Sequence, residues 1–508
     1  MSSAAGTPHT KSVSETSIAT MTQPKSCALR NPALLLATVP VAAWLSWKNR
    51  NYQLDDSLIY LRYIRNLFDG YGLAYNRGDH FNGLTSPLYS YLLILANTLT
   101  HSLQYTTIFL SFVFLCLAGV YGAAVLSRNR YEQALCGFFV VSFNYFYTTF
   151  GMETTLFLFL TALALYLYQS GRLFLTGLTI ALVILTRTEG VFLGGVIFCH
   201  YIMTQRKIPA LKYLAVPAAL ILANLLFNYF YYGAPLPATG NAKIGQGRSG
   251  FWGTGYIFLN VEYMKDWFFG GNYHLLWFLF PMAAIGMWTK RLIIASWLSI
   301  AYLILLGGFY VLLHIPNYHW YYAPFFYFLL LYAATGAYQL FSESIRLASK
   351  HRLAGCGAAV ILAALTGAFG ARSLNLANIE RGSFDPYKNI GTWIDKNTPA
   401  DSVVAAVEIG TIGWYSHRYI IDILGLTNPY NADYIGNKDV HSWLTRYSPD
   451  YILVHDPLWS FETSARCLIK TGAYLAAPHF PFPGYMLLSK ARSLDAENSV
   501  SVCGRRGS

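Results

Sequence analysis

The chain has 508 residues, 55% of them hydrophobic, 17% aromatic and 12% charged, with a formal net charge of +12. A mean hydropathy of +0.36 excludes a soluble enzyme of this length and places the chain among polytopic membrane proteins. The positive charge is not a nucleic-acid footprint: no basic block with interleaved aromatics occurs, and most Lys and Arg sit in short gaps between apolar runs.

Residues 1–30, rich in Ser and Thr and without a cleavage site, read as a disordered cytoplasmic tail. Runs long enough for a hydrocarbon core of about 30 Å then fall at 31–49, 104–126, 134–150, 154–169, 173–187, 190–204, 211–231, 274–288, 292–313, 320–341 and 353–372. With the N-terminus inside, the inner gaps hold Arg128 and Arg130, Arg172, Arg206 and Lys207, Lys290 and Arg291, and Arg346, Lys350 and Arg352. That distribution satisfies the positive-inside rule and turns the long loops 50–103 and 232–273 outward. The piece 87–100 reads as a helix lying at the outer interface, because a further span there would put every later basic gap outside.

The first outer loop opens with LDDSLIYLRYIRNLFDGYG. A helix from Ser57 would set Leu61, Ile64 and Phe68 on one face and Arg62, Arg65, Asn66 and Asp69 largely on the other, along the outer membrane surface. Asp56 has a plain reading as the N-cap of that helix. The second carboxylate, Asp55, has no capping task, and acids at a membrane edge are usually functional. A carboxylate there can remove the proton of a sugar hydroxyl attacking an anomeric carbon, help worth about 10²- to 10⁴-fold.

The other outer turns supply partners for such chemistry. Glu153 lies in GMETT, Arg187 and Glu189 in LTRTEG, Lys243 in ATGNAKIG, and Tyr318 and His319 in HIPNYHW. Each has a bland reading: Arg187 as the structural partner of Glu153 or Glu189, Lys243 as a loop lysine, and the aromatic cluster as an interfacial belt. A leaving lipid phosphate would need such cations or a metal, Mg²⁺ or Mn²⁺ being the candidates.

An odd number of spans places residues 373–508 outside. There DSVVAAVEIGTIGWYS and RYIIDILGL read as β-type runs, GTIG as a tight turn, and DVHSWLTRYSPDYILVHD as a helix then a strand, giving a small α/β domain. Seven cysteines show no CxxC or metal spacing, and only Cys467 and Cys503 share this segment, where they can pair if it faces an oxidising compartment. The expected architecture is a polytopic α-helical membrane domain of about 11 spans over 31–372, followed by an extracytoplasmic α/β domain.

The segment DDSLIYLRYIRNLFDGYGLAYNRGDHFNGLTSPLYS, with GMETTLF, LTRTEG, PLPATGNAKIG and IGTIGWYSHRYIIDILGLTNP, resembles the C-type (GT-C) glycosyltransferases of the arabinofuranosyltransferase-like group. The likeness covers most of the chain. It departs where relatives often carry Glu-Gly-Tyr before TSPL, here Asn82, Gly83 and Leu84, and where TRPEG is common, here with Thr188. The resemblance implies a GT-C-like fold in a bacterial inner membrane and transfer of a sugar, a pentofuranose such as arabinofuranose, from a polyprenyl-phosphate donor. It makes Asp55 or Asp56 the base and gives donor or acceptor contacts to Arg187, Glu189, Lys243, Glu153, His319, Tyr318, Asn82 and Thr85. The acceptor would be a cell-wall arabinan, a lipopolysaccharide or a pilin. The rival readings are a transporter or flippase of lipid-linked sugars, which should carry its charges near the bilayer midplane, and a glycan ligase or polymerase using pyrophosphate-linked donors.

Overall fold

In a computed structural model, residues 31–260, 275–378, 386–491 and 500–503 are described. The tail 1–30 and the end of the 232–273 loop lie outside them. The helices are α1 (Pro32–Lys48), α2 (Asp55–Phe68), α3 (Pro87–Thr100), α4 (Leu103–Leu126), α5 (Arg130–Ser142), α6 (Thr154–Gln169), α7 (Leu173–Thr186) and α8 (Gly190–Gln205). After them come α9 (Leu211–Tyr232), α10 (Thr239–Ser249), α11 (Leu275–Thr289), α12 (Ile294–Leu312), α13 (Ala323–Ala348) and α14 (Arg352–Ala377).

Among the described residues five helices are long and apolar enough to cross a bilayer: α4, α9, α12, α13 with the 3₁₀ turn before it, and α14. Five shorter apolar helices, α1, α6, α7, α8 and most of α11, accompany them. The run at 134–150 is not one continuous span. Helix α5 has 13 residues, a length of about 20 Å, and stops at Phe143, whose backbone is extended before the short turn Asn144–Tyr147. Its first turn buries Glu132, which Lys290 meets at 2.6 Å.

The C-terminal region contains α15 (Pro386–Asn397), β1 (Val403–Ala406), α16 (Ile409–Ser416), β2 (Tyr419–Asp422), α17 (Asn431–Gly436), α18 (Ser442–Tyr447), β3 (Tyr451–His455), α19 (Ser464–Lys470), β4 (Tyr474–Ala476) and β5 (Tyr485–Lys490). The sheet order is β2-β1-β3-β5-β4; β1 runs parallel to β2 and β3, whereas β5 runs antiparallel to β3 and β4. Cys467 and Cys503 form a disulfide with Cα atoms 5.8 Å apart. One expectation fails here. IGTIGWYS is the helix α16, not a strand, and its GTIG is the first turn of that helix. Alternating small and large apolar residues fit either period, and packing against α2 decides for the helix.

The polar face of α2 is not solvated. The helix is buried from Ser57 to Ile64, wedged between the membrane helices and α16, and its polar face becomes an interface. Buried Arg62 donates Nε–H to the Tyr75 carbonyl at 2.7 Å, Nη1–H to Gly413 O at 2.6 Å, and Nη2–H to Asn76 Oδ1 at 2.9 Å and Arg418 O at 2.7 Å. One apolar core therefore runs from α2, through Tyr63 and Ile64, into Ile409, Ile412 and Ile420 of the C-terminal region.

A candidate active site beneath the outer loops

The helix α2 starts two residues earlier than its sequence signals indicate, at Asp55, with Leu54 as N-cap and no side-chain capping bond. Asp56 is therefore not the cap. Because successive helical residues turn by about 100°, the two carboxylates point to different neighbours. Asp55 turns to the C-terminal region, accepting the Gly410 amide at 3.1 Å and the Thr411 amide at 2.6 Å, so it caps α16 across the interface. Gly410 allows this approach: a Cβ there would meet Asp55 O at 1.8 Å.

Asp56 turns into a cavity of about 620 Å³. One wall comes from α2 and the following loop, with Asp56, Tyr60, Asn82 and Thr85; another from the turns bearing Glu153 and Arg187 to Glu189; a third from the stretch from Tyr232 to Ile244, with Lys243. Tyr310, Trp320 and Tyr321 face these from α12 and the 3₁₀ turn, and Leu426 closes the C-terminal side. The walls are tied together. Ala238 N donates to Asn82 O at 2.9 Å, Thr85 Oγ1 lies 3.3 Å from Thr239 Oγ1, and the Asn82 side chain accepts Leu84 N at 3.1 Å.

Arg187 takes its plain reading. It meets Glu153 at 3.3 Å and Glu189 at 3.0 Å and lies 4.9 Å from the centre of the Tyr321 ring. The carboxylates are held further by Tyr60 O–H on Glu153 at 3.2 Å and Tyr310 O–H on Glu189 at 2.9 Å. One guanidinium thus ties two carboxylates together at this wall of the cavity.

Lys243 is the cation that faces Asp56. Buried, with Nζ 3.8 Å from the Tyr318 ring centroid, it has its basicity lowered by loss of water and partly restored by the charges of Asp56 and Asp422. Burial in turn raises the pKa of Asp56 above the usual carboxylate range, and Lys243 partly opposes this. Asp55 is pushed up to about 7, first by burial and then by Asp56, against the pull of its bonds to α16. Asp422 accepts Leu424 N and Thr427 N, each at 2.9 Å, and so shapes the loop that carries Leu426 to the cavity.

The stretch from His319 to Tyr322 is a buried wall, not an exposed aromatic belt, whereas His314 at the start of HIPNYHW is exposed. Tyr318 supports Lys243 and donates its O–H to Gln246 at 3.0 Å. His319 is not among the residues lining the cavity; its Nε2 lies 3.3 Å from Thr148 O. Two polar residues of the cavity that the sequence does not single out hold its carboxylates. Tyr60 stands one helical turn from Asp56, a spacing that could have revealed it, whereas nothing local marks Tyr310. Among the described residues no group of three or more His, Cys, Asp or Glu side chains is placed to hold a metal. A divalent cation needs several oxygen ligands; of the cavity's acids, Glu153 and Glu189 are ion-paired with Arg187, and Asp56 lies in the field of Lys243.

Comparison with known proteins agrees with this picture. Residues 377–502 match a family described as Domain of unknown function (DUF8728). A terminal β-(1→2)-arabinofuranosyltransferase of Corynebacterium glutamicum is 29% identical over 282 residues, covering 49% of this chain and 40% of the relative; the chain thus aligns with about two fifths of that protein. The oligosaccharyltransferase of Archaeoglobus fulgidus, crystallised with a tethered acceptor peptide, superposes with a TM-score of 0.58 at 12% identity, over 90% of this chain and 74% of that one. ArnT of Cupriavidus metallidurans bound to undecaprenyl phosphate superposes with a TM-score of 0.50 at 11% identity, over 91% and 98%. In fold the chain is similar to these membrane transferases, and over about half its length it is similar in sequence to a terminal arabinofuranosyltransferase.

Proposed function

We propose that this protein transfers a pentofuranose, arabinofuranose by its relatives' activity, from a polyprenyl-phosphate donor to a hydroxyl of a cell-envelope glycan or glycoprotein. The observation that carries the reading is the placement of Asp56 and Lys243 in one cavity between the outer loops, the membrane helices and the C-terminal region. The donor enters sideways between helices and sets its sugar under the 232–250 stretch. Asp56 takes the acceptor proton as the acceptor oxygen forms its bond to the anomeric carbon from the face opposite the phosphate. The bond from that carbon to the phosphate oxygen breaks, its electron pair stays with the lipid phosphate, and Lys243 meets the charge that develops there. Attack from the opposite face inverts the anomeric carbon. Asp55 holds the C-terminal region against α2, and Tyr60, Glu153, Arg187 and Glu189 form the wall that orients the sugar hydroxyls.

No step of this reaction uses a divalent cation, so transfer should survive chelation; its loss in EDTA with recovery on adding Mg²⁺ or Mn²⁺ would take the phosphate-stabilising role away from Lys243. The positive-inside pattern and the disulfide support an inner-membrane protein with the cavity and C-terminal domain outside, eleven crossings being reached if α5 and its following turn count as one. The direct assay is transfer of a radiolabelled pentose from a polyprenyl-phosphate donor to an arabinan oligosaccharide in proteoliposomes. A protein that only moves the lipid-linked sugar across the bilayer would yield no new glycosidic bond.

A further inference from the structure

On the side of α2 turned away from Asp56, a second pocket of about 160 Å³ opens where the first outer loop meets the C-terminal region. Arg65, which lines it, follows Asp56 by nine positions, about two and a half helical turns, and so faces the opposite way. Arg62, Asn66, Arg77, Arg418 and Tyr419 complete most of the lining.

The four guanidiniums do different work. Arg62 and Arg418 are buried struts; Arg418 spends its donors on Thr398, Asp395 and Ser416. Arg65 and Arg77 are presented instead. Arg65 lies 4.3 Å from the Trp414 ring centroid and spends one Nη1 donor, on Trp414 O at 3.1 Å, while Arg77 lies 4.2 Å from the Tyr71 ring centroid. A guanidinium laid flat on an aromatic ring keeps its edge of N–H donors free for a fork-shaped partner.

Two nearby acids are held away from the Arg65 and Arg77 guanidiniums. Asp395 is taken by Arg418 at 3.0 Å and His417 at 3.3 Å, and Asp79 accepts Tyr419 O–H at 2.8 Å and Asn76 Nδ2–H at 3.2 Å. With exposed Asp401 in the lining and Asp69 beside Arg65, four acids stand around four arginines, and among the described residues none is ion-paired with Arg65 or Arg77. The crowding is felt: burial, then Arg62 and Arg77, lower the pKa of Arg65 to about 10, with Asp69 partly opposing.

We infer that this pocket is an anion site that takes one phosphate group, bound by Arg65 and Arg77 in the field of Arg62 and Arg418. Forked guanidiniums match phosphate oxygens in geometry and charge. The size agrees, since a pocket of about 160 Å³ has room for a phosphate group. The phosphate belongs either to a lipid headgroup or to a soluble molecule. Because one wall is α2 and the other is the C-terminal region, occupancy would clamp the two together. The inference is independent of the transfer reaction proposed above.

The test is calorimetric titration of inorganic phosphate into the full chain in nanodiscs of zwitterionic lipid. The Lys243→Met variant serves as background, so that the cavity near Asp56 contributes no cation. Phosphate should bind in that background, and Arg65→Gln or Arg77→Gln should weaken it about tenfold each, the worth of one charge-assisted contact, with the Arg77 variant's melting temperature unchanged. Phosphatidic acid added to the nanodiscs separates the sources: blocked phosphate binding identifies a lipid headgroup, and unaffected binding a soluble one. Absence of binding, or binding insensitive to both arginine variants, overturns the inference.

Discussion

Adjacent carboxylates acquire separate tasks because a helix turns each residue by about 100° from the last, so Asp55 reaches the α16 amides while Asp56 faces Lys243. That division gives two pH dependences of opposite sense. Asp55 titrates near 7 in the folded protein and near 3.8 unfolded, so the native state holds the extra proton. Its contribution to stability is full below about 3.8 and is lost as pH rises through about 7. The melting temperature should therefore fall between pH 5 and pH 8, and Asp55→Asn should flatten that slope. Asp56 must be ionised to act as base, and burial raises its pKa, so transfer should climb with pH beyond the usual carboxylate range; a rate that falls as pH rises out of that range contradicts the role. At Arg187, substitution by Gln strands Glu153 and Glu189 without their cation. It should destabilise by about 3 to 5 kcal/mol, visible as a lost folded fraction in size-exclusion profiles, with Arg187→Lys recovering part of it.

At the scale of elements, the contact between α2 and α16 depends on glycines where no side chain fits. A Cβ on Gly413 would lie 2.3 Å from Tyr75 Oη and 2.4 Å from Arg62 Nη1, both buried and engaged. Gly410→Ala and Gly413→Ala should each destabilise docking by about 1 to 3 kcal/mol or more, read as faster proteolytic release of the C-terminal region at unchanged secondary structure. This interface also marks the limit of what sequence pattern reveals. The outer turns bearing Glu153, Arg187, Glu189 and Lys243 were legible because charges are rare in an apolar chain, and the structure brings these four to one cavity. The amphipathic face of α2 was legible as a pattern, but not what covers it: Arg62 and Arg65 look like a solvated stripe until α16 and Arg418 are placed against them. IGTIGWYS was misread for the same reason, since only its tertiary neighbour chooses between helix and strand.

Over the whole molecule, α2 carries the cavity acid on one side and the arginine pocket on the other, and it couples the helical body to the C-terminal sheet. The disulfide closes that sheet region over a separation of 36 residues, worth about 4 kcal/mol by loop-closure entropy. The Cys467→Ser variant should lower the melting temperature and abolish the mobility difference between reduced and oxidised protein on a denaturing gel. The long apolar helices were plain in the sequence, whereas the break after α5 was not, because the run 134–150 is apolar on both sides of Phe143.

The central claim is that Asp56, not Asp55, is the base. The measurement that tests it most directly is pentose transfer from a polyprenyl-phosphate donor in proteoliposomes, with wild type, Asp56→Asn and Asp55→Asn at matched amounts of folded protein. Asp56→Asn should lose about 10²- to 10⁴-fold in rate while still binding donor. Asp55→Asn should stay within about tenfold of wild type, a positioning loss of about 1.4 kcal/mol. Normal transfer by Asp56→Asn, or an equal collapse in a folded Asp55→Asn, would contradict the claim.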